Sequence, residues 1–176
     1  MITGIVITIV VVLAGVLLYA AGRPDTFHIS RTEFIEAAPE AIYPYMSDFH
    51  QGLLWVPFET RDPNQERTFS GPENGRGSIY EFVGNSRVGA GRLEIVAAVP
   101  PSRVVISLDM IRPMQGHNTV EYTITPVAGG SEVTWAMSGT SNYFGRLLGI
   151  FISMETMLGK DFVKGLNNLK ALLEKG

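Results

Sequence analysis

Residues 103–138 read RVVISLDMIRPMQGHNTVEYTITPVAGGSEVTWAMS. Apolar and polar side chains alternate through three segments of this stretch, a pattern typical of β-strands with one covered face and one face in water. We predict strands at 103–110, 117–125 and 132–138. The side chains predicted to share the covered face are Val104, Ile106, Leu108, Met110, Asn118, Val120, Tyr122, Ile124, Val133, Trp135 and Met137.

Three more segments of period two precede this stretch, and they predict strands at 67–70, 78–83 and 91–99. The connections between successive strands are short and rich in turn-forming residues, so neighbouring strands must be antiparallel. A first strand is predicted at 31–36. A short helix should then begin at Pro39 and be interrupted at Pro44, which has no N–H to donate. A second short segment, helical or looping, is predicted at 51–58.

The end of the chain has the periodicity of an amphipathic helix. Phe162, Leu166, Leu169 and Leu173 recur at helical spacing, with lysine and asparagine between them. This helix can cover the apolar face of the sheet. The elements together predict a single α+β domain at residues 31–176, with an antiparallel sheet and a long C-terminal helix.

Residues 2–21 contain no charged side chain and are mostly Ile, Val, Leu, Ala and Gly. Some twenty residues at a helical rise of ~1.5 Å extend ~30 Å, the thickness of a bilayer's hydrocarbon core. We predict a transmembrane helix at 1–22 and a linker at 23–30. A cleaved signal peptide is the alternative, because Ala20, Ala21 and Gly22 resemble a cleavage site, although the N terminus has no basic residue.

The charges next to this segment bear on its orientation. Arg23 and Arg31 follow the apolar segment, and positive charges near a span favour the cytoplasmic side. The sequence therefore predicts a single-pass protein of a bacterial cell membrane, in contact with lipid through residues 2–21 and with its domain in the cytoplasm.

The composition argues against several classes of function. There is no cysteine, which excludes disulfides and thiolate metal sites. The net charge is −3 and no basic cluster occurs, so no nucleic-acid partner is expected. His28, His50 and His117 form no metal-binding motif, and His117 should face solvent. Neither a metal nor a cofactor is expected.

Several short motifs occur in a fixed order along the chain. They are AAPEAIY at 37–43, SDF at 47–49, WVPF at 55–58, GNSRVGAG at 84–91, VPPSRV at 99–104, VTWAMSG at 133–139, GKDF at 159–162 and GLNNLK at 165–170. With these motifs the chain resembles the START-like (SRPBCC) superfamily, in its polyketide cyclase/dehydrase-related branch. The resemblance covers residues 30–174.

The resemblance implies a helix-grip fold. In this fold a curved antiparallel sheet wraps around the long C-terminal helix, two short helices follow the first strand, and a cavity between sheet and helix holds a hydrophobic molecule. The residues expected to line that cavity are Trp55, Phe58, Tyr80, Phe82, Leu108, Met110, Asn118, Tyr122, Met137, Phe151, Met154 and Met157.

Asn118 is the polar residue of greatest interest in this set. Its position on the covered face requires hydrogen-bond partners, which either a ligand or the backbone at the strand end could supply. The aromatic and methionine side chains could likewise line a cavity or simply fill a core.

Three functions agree with these observations. The first is a membrane-anchored binding protein for a hydrophobic small molecule or lipid. The second is an enzyme related to polyketide cyclases and dehydrases, which would need an acid or base inside the cavity. Glu81 is the nearest candidate by sequence. The third is a protein-interaction module without a ligand, like the Hsp90-activator relatives in the superfamily, for which a filled core would be expected.

Overall fold

The computed structural model describes residues 2–22, 25–140 and 154–174. Helix α1, Ile2–Ala21, occupies the segment predicted to cross a membrane. A span requires about 20 consecutive apolar residues. Over the residues and side chains that the structure describes, no helix meets the length and hydropathy of a membrane span. The predicted transmembrane anchor is therefore not supported.

Seven strands form one antiparallel sheet in the order β1-β7-β6-β5-β4-β3-β2. Their bounds are β1 Thr26–Ile35, β2 Glu66–Ser70, β3 Ile79–Val83, β4 Ala90–Val99, β5 Arg103–Arg112, β6 Gly116–Val127 and β7 Gly130–Thr140. The predicted α+β class and antiparallel sheet are confirmed. Strands β2 to β7 lie where the alternation placed them, with ends that differ by one or two residues.

Strand β1 is longer at its start than predicted. It begins at Thr26 rather than at Arg31, so residues 26–30 belong to the sheet and not to a linker. The reason is tertiary, because β1 pairs along its whole length with β7, from Thr26 opposite Thr140 to Ile35 opposite Ser131. The start of β1 is therefore set by the length of β7, whose residues lie more than 90 positions further along the chain.

The register places the predicted apolar face on one side of the sheet. Val104 lies opposite Tyr122, which in turn lies opposite Trp135. Ile106, Val120 and Met137 form the next row. All six side chains are buried, whereas their neighbours in sequence are more exposed. Register shifts in β4 mark irregularities of the kind that bend a sheet.

Three short α-helices and one 3-10 helix connect β1 to β2. They are α2 Pro39–Ile42, α3 Pro44–Ser47, α4 Phe49–Gly52 and the 3-10 helix Pro57–Thr60. The predicted interruption at Pro44 is confirmed, because Pro44 ends α2 and opens α3. Two short helices were predicted and three are present. The third, α4, begins after Asp48, whose side chain accepts a hydrogen bond from the backbone N–H of His50.

The long C-terminal helix α5, Met154–Glu174, covers the apolar face of the sheet. Phe162, Leu166 and Leu169 are fully buried, as their spacing predicted. Two ion pairs fasten α5 to β1, Arg31 with Glu155 and Lys170 with Glu33, both at 2.8 Å. This arrangement of sheet and helix agrees with the predicted helix-grip fold.

Candidate ligand cavity

A cavity of ≈ 450 Å³ lies inside the domain. Its walls come from the covered face of the sheet, from the first half of α5 and from the segment of short helices between β1 and β2. This volume is within the range of about 300–1,000 Å³ found for small-molecule sites in proteins. The described side chains therefore do not completely fill the core of the domain.

Ten of the twelve residues predicted to line a cavity do line this one. They are Trp55, Phe58, Tyr80, Phe82, Leu108, Met110, Asn118, Tyr122, Met137 and Met157. Phe151 and the side chain of Met154 lie outside the described part of the chain. The role of these residues in ligand binding remains a prediction.

An aromatic cluster forms the wall beneath α5. The ring of Trp135 stacks on Phe162, with centroids 4.3 Å apart and planes inclined by 9°. Trp55 meets Trp135 edge-on at 5.3 Å and Tyr122 at 5.6 Å. Trp55 is held in place by a hydrogen bond from its indole N–H to the carbonyl of Tyr45, at 2.9 Å. This wall is rigid and predominantly apolar.

Asn118 places an amide in this apolar wall. The residue is 9% exposed and lies opposite Leu108 on one side and Gly139 on the other. A Cβ atom at position 139 would overlap the amide oxygen of Asn118, so the glycine makes room for that side chain. Among the described residues the amide has no hydrogen-bond partner, neither side chain nor backbone. The geometry leaves it available to a ligand.

Tyr122 brings a second polar group to the same face of β6, four residues after Asn118. Burial raises the pKa of its phenol well above the ordinary value of about 10, so the hydroxyl stays neutral at physiological pH. Within the described ranges this hydroxyl, like the Asn118 amide, has no hydrogen-bond partner. Two neutral groups are thus available to orient a molecule in the cavity.

A polar cluster at another part of the wall was missed in the sequence. Both oxygens of the Glu59 carboxylate accept hydrogen bonds: Oε1 from the Tyr80 hydroxyl at 2.8 Å, and Oε2 from the Gln65 amide at 2.6 Å and from Arg67 Nε at 3.0 Å. Burial and the adjacent Glu59 raise the pKa of Tyr80. Glu59 and Gln65 lie outside the strands, where no periodicity indicates which side chains point inward.

Glu81 was the wrong candidate for an inward acid. It is exposed, because Tyr80 and Phe82 on either side of it occupy the inner face of β3. The carboxylates that line the cavity are Asp48 and Glu59. Asp48 also accepts a hydrogen bond from the backbone of His50, so it is engaged in capping α4.

The histidines and acids of the described residues do not form a metal site: no group of three or more could hold an ion there. His117 lies on the exposed face of β6, as expected, and its Nδ1 is 2.6 Å from Asp109 Oδ1. Asn118, Tyr122 and the Glu59 cluster can offer hydrogen bonds to a molecule in the cavity, within largely apolar walls.

Known proteins share this fold. The structure of CV1439 from Chromobacterium violaceum has a TM-score of 0.59 at 17% identity, over 86% of this chain and 99% of that one. Ara h 8.0201 gives 0.58 at 9% identity, over 86% and 99%. The Aha1 dimer from Colwellia psychrerythraea gives 0.52 at 18%, over 84% and 94%. At these identities the likeness concerns the fold alone.

Sequence comparison is more specific. No curated protein matches the chain. The family model described as "Polyketide cyclase / dehydrase and lipid transport" matches residues 26–174, which is nearly the whole of the α+β domain. The chain therefore belongs to the polyketide cyclase/dehydrase and lipid transport family.

Proposed function

We propose that the protein binds a hydrophobic small molecule or lipid in the cavity between its sheet and α5. The observation that carries this proposal is the ≈ 450 Å³ of space enclosed largely by apolar side chains in an otherwise packed core. Membership of a family that includes lipid transport supports it. An interaction module without a ligand is less favoured, because it would be expected to have a filled core.

The energetic basis of binding is the transfer of apolar ligand surface out of water. Each 100 Å² of such surface contributes about 2.5 kcal/mol, from which the cost of immobilising the ligand is subtracted. The aromatic cluster around Trp135 supplies rigid surface that loses little entropy on binding. Asn118 and Tyr122 add hydrogen bonds that select for a ligand with a polar group at the matching position.

Native mass spectrometry of the purified full chain, followed by organic extraction, tests this proposal. We expect a stoichiometric apolar molecule to accompany the protein. The variant Leu108→Trp, which fills the cavity, should lose it. Ser107→Trp is the control, because Ser107 precedes Leu108 on the opposite face of β5. A chain that carries no ligand and gains none from a lipid extract would refute the proposal.

An enzyme is the second candidate, and the Glu59 cluster is the observation that favours it. A carboxylate hydrogen-bonded to a tyrosine inside an apolar cavity is a pair that can move a proton to or from a bound carbonyl compound. Three donors hold the Glu59 carboxylate, and they use three of the roughly four lone-pair positions of its oxygens, which leaves one position on Oε1 to accept a proton.

The variant Glu59→Gln separates the two candidates, since it keeps the shape of the side chain and removes the base. An enzyme should lose turnover of the extracted molecule while still binding it. A binding protein should show no turnover in either form.

Attachment to a membrane is a further part of the proposed function. Helix α1 exposes large apolar side chains around its circumference, including Ile9, Val11 and Leu18, and such a surface is stabilised by lipid. We expect the full chain in the membrane fraction of a bacterial cell, and Val11→Arg should shift it towards the soluble fraction. Val127→Arg, on the domain surface, should not. Equal fractionation of both variants would contradict attachment through α1.

The side of the membrane is proposed from Arg23 and Arg31, which favour a cytoplasmic domain. A cysteine introduced at the exposed Ala128 should then react with a membrane-impermeant maleimide only after the cells are broken. Labelling in intact cells would place the domain on the outer side.

A further inference from the structure

The cavity opens at one end of the sheet. Its exposed lining residues include Arg87, Pro113, Met114, Gln115, Thr140 and Met157. The lining residues from the strands and their connections lie close together because neighbouring strands are antiparallel. The β3–β4 connection, the β5–β6 connection and the end of β7 are therefore all at the same end of the sheet. Val99, Ser131 and Ile35, at the opposite end of the sheet, are not among the described residues of the lining.

Helix α1 joins the domain at this same end. It ends at Ala21, and β1 begins at Thr26, so Phe27 in the cavity wall is six residues from the helix. Six residues of extended chain span about 20 Å. The last residue of the exposed apolar helix therefore lies within about 20 Å of the cavity wall.

Exposed apolar side chains lie at the same end of the domain as the mouth. Met114 and Met157 are part of the lining and are also exposed to solvent. Ile111 near the end of β5 and Val83 at the end of β3 are exposed at the same end of the sheet, on its outer face. We call these four residues the rim. An apolar rim around an apolar cavity is costly in water and is typical of a surface that meets another apolar phase.

We propose that the rim docks on a lipid bilayer, so that the ligand passes between the bilayer and the cavity without crossing water. The proposal rests on the function proposed above for the cavity and adds where its ligand enters. A bilayer is favoured over a protein partner because α1, which exposes a series of large apolar side chains, is connected to the same end of the domain. An apolar ligand that avoids water also avoids most of the barrier to its transfer.

The position of the rim can be measured directly with single cysteines, because the chain has none of its own. Gln115→Cys places a fluorophore in the β5–β6 connection at the mouth, and Ala128→Cys places it in the β6–β7 connection at the opposite end. The full chain is mixed with vesicles of phosphatidylcholine and phosphatidylglycerol that carry a quencher on the acyl chains. We expect quenching at position 115 and none at 128.

Quenching by the acyl chains distinguishes insertion of the fluorophore into lipid from its entry into the cavity, which would shield it from water without quenching. Equal quenching at the two positions, or quenching at 128 alone, would overturn the docking proposal. This readout needs no bound ligand, so it remains informative even if the cavity proves to be empty.

The second measurement is transfer of the extracted ligand between the protein and vesicles. Ile111→Asp alters the rim outside the lining, and Val99→Asp alters a side chain of similar exposure at the opposite end, 55% and 52% respectively. We expect transfer about tenfold slower with Ile111→Asp, unchanged with Val99→Asp, and unchanged affinity for ligand in water with both.

Equal transfer rates for the two variants would overturn the role of the rim. If the unaltered chain bound no ligand, the function proposed for the cavity would be contradicted instead. The fluorophore measurement would still decide whether the mouth contacts lipid.

Discussion

Replacing Gly165 with alanine tests how closely α5 is pressed against the aromatic wall of the cavity. A Cβ atom at this position would lie 2.6 Å from Cζ3 of Trp135 and 3.0 Å from Cδ of Pro57. Neither neighbour moves easily, because Trp135 is stacked on Phe162 and meets Trp55 edge-on, and Pro57 opens the 3-10 helix. The contact should therefore be relieved only by displacing α5.

Two effects of opposite sign determine the result. Alanine in place of glycine inside a helix stabilises it by about 1 kcal/mol. Overpacking of a filled site costs about 1–3 kcal/mol, and contact with a rigid ring belongs in the upper part of that range. We expect a net loss of about 1–2 kcal/mol, which for a chain of this size lowers Tm by about 2–8 °C.

Gly159→Ala is the matched control in the same helix. The three atoms nearest to its Cβ would all belong to the guanidinium end of Arg31, a flexible group that can move away by giving up its exposed ion pair with Glu155. That pair is worth at most about 1 kcal/mol, so the helix-forming gain of alanine offsets the loss. The expected Tm is unchanged or raised.

Thermal unfolding of both full-length variants, followed by circular dichroism in mild detergent, gives the comparison. If Gly165→Ala were as stable as Gly159→Ala, the aromatic wall would have to be more compliant than the stacking of Trp135 suggests. The rigidity assigned to the cavity would then be wrong.

Three further predictions concern the polar groups. The pKa values of Tyr80 and Tyr122 are raised in the folded state, so their contribution to stability is complete below the unfolded-state pKa of about 10 and is lost as pH rises above it. Tyr122→Phe should therefore move the midpoint of alkaline unfolding to higher pH, and an unchanged midpoint would contradict this. Arg67→Met should cost about 1.5–3 kcal/mol in urea unfolding by leaving Glu59 with one charged partner fewer, and Glu59→Gln should restore part of the loss in the double variant. Asn118→Leu should weaken binding of a long-chain alcohol about tenfold relative to the matching alkane in a fluorescence displacement assay, whereas equal effects on both probes would show that the amide does not contact the ligand.

The strands and the long helix could be predicted from the sequence because their signals are local. Alternation at 103–138 identified the buried face of three strands, and helical spacing from Phe162 to Leu173 identified the helix that covers it. The start of β1 could not be predicted in this way, because residues 26–30 are held as a strand by their pairing with β7.

The residues of the candidate site could likewise be predicted only where they lie in strands with a clear alternation. Alternation assigned Leu108, Asn118 and Tyr122 to the covered face of the sheet, the family resemblance implied a cavity there, and the three residues do line it. Glu59 and Gln65 escaped prediction, since side chains in irregular segments have no period that reveals their direction. Glu81 was chosen instead because the face of β3 had not been assigned from so short a segment.

The sequence by itself determined which side chains would leave water, through the periods of two and 3.6 residues that backbone geometry imposes on strands and helices. Only the tertiary structure decided that those side chains would enclose empty space. Whether apolar faces meet in a packed core or stand apart around a cavity depends on the curvature of the sheet and on how closely α5 approaches it. The close contact of Gly165 with Trp135, two residues 30 positions apart in the chain, limits how near α5 comes to the sheet at that point.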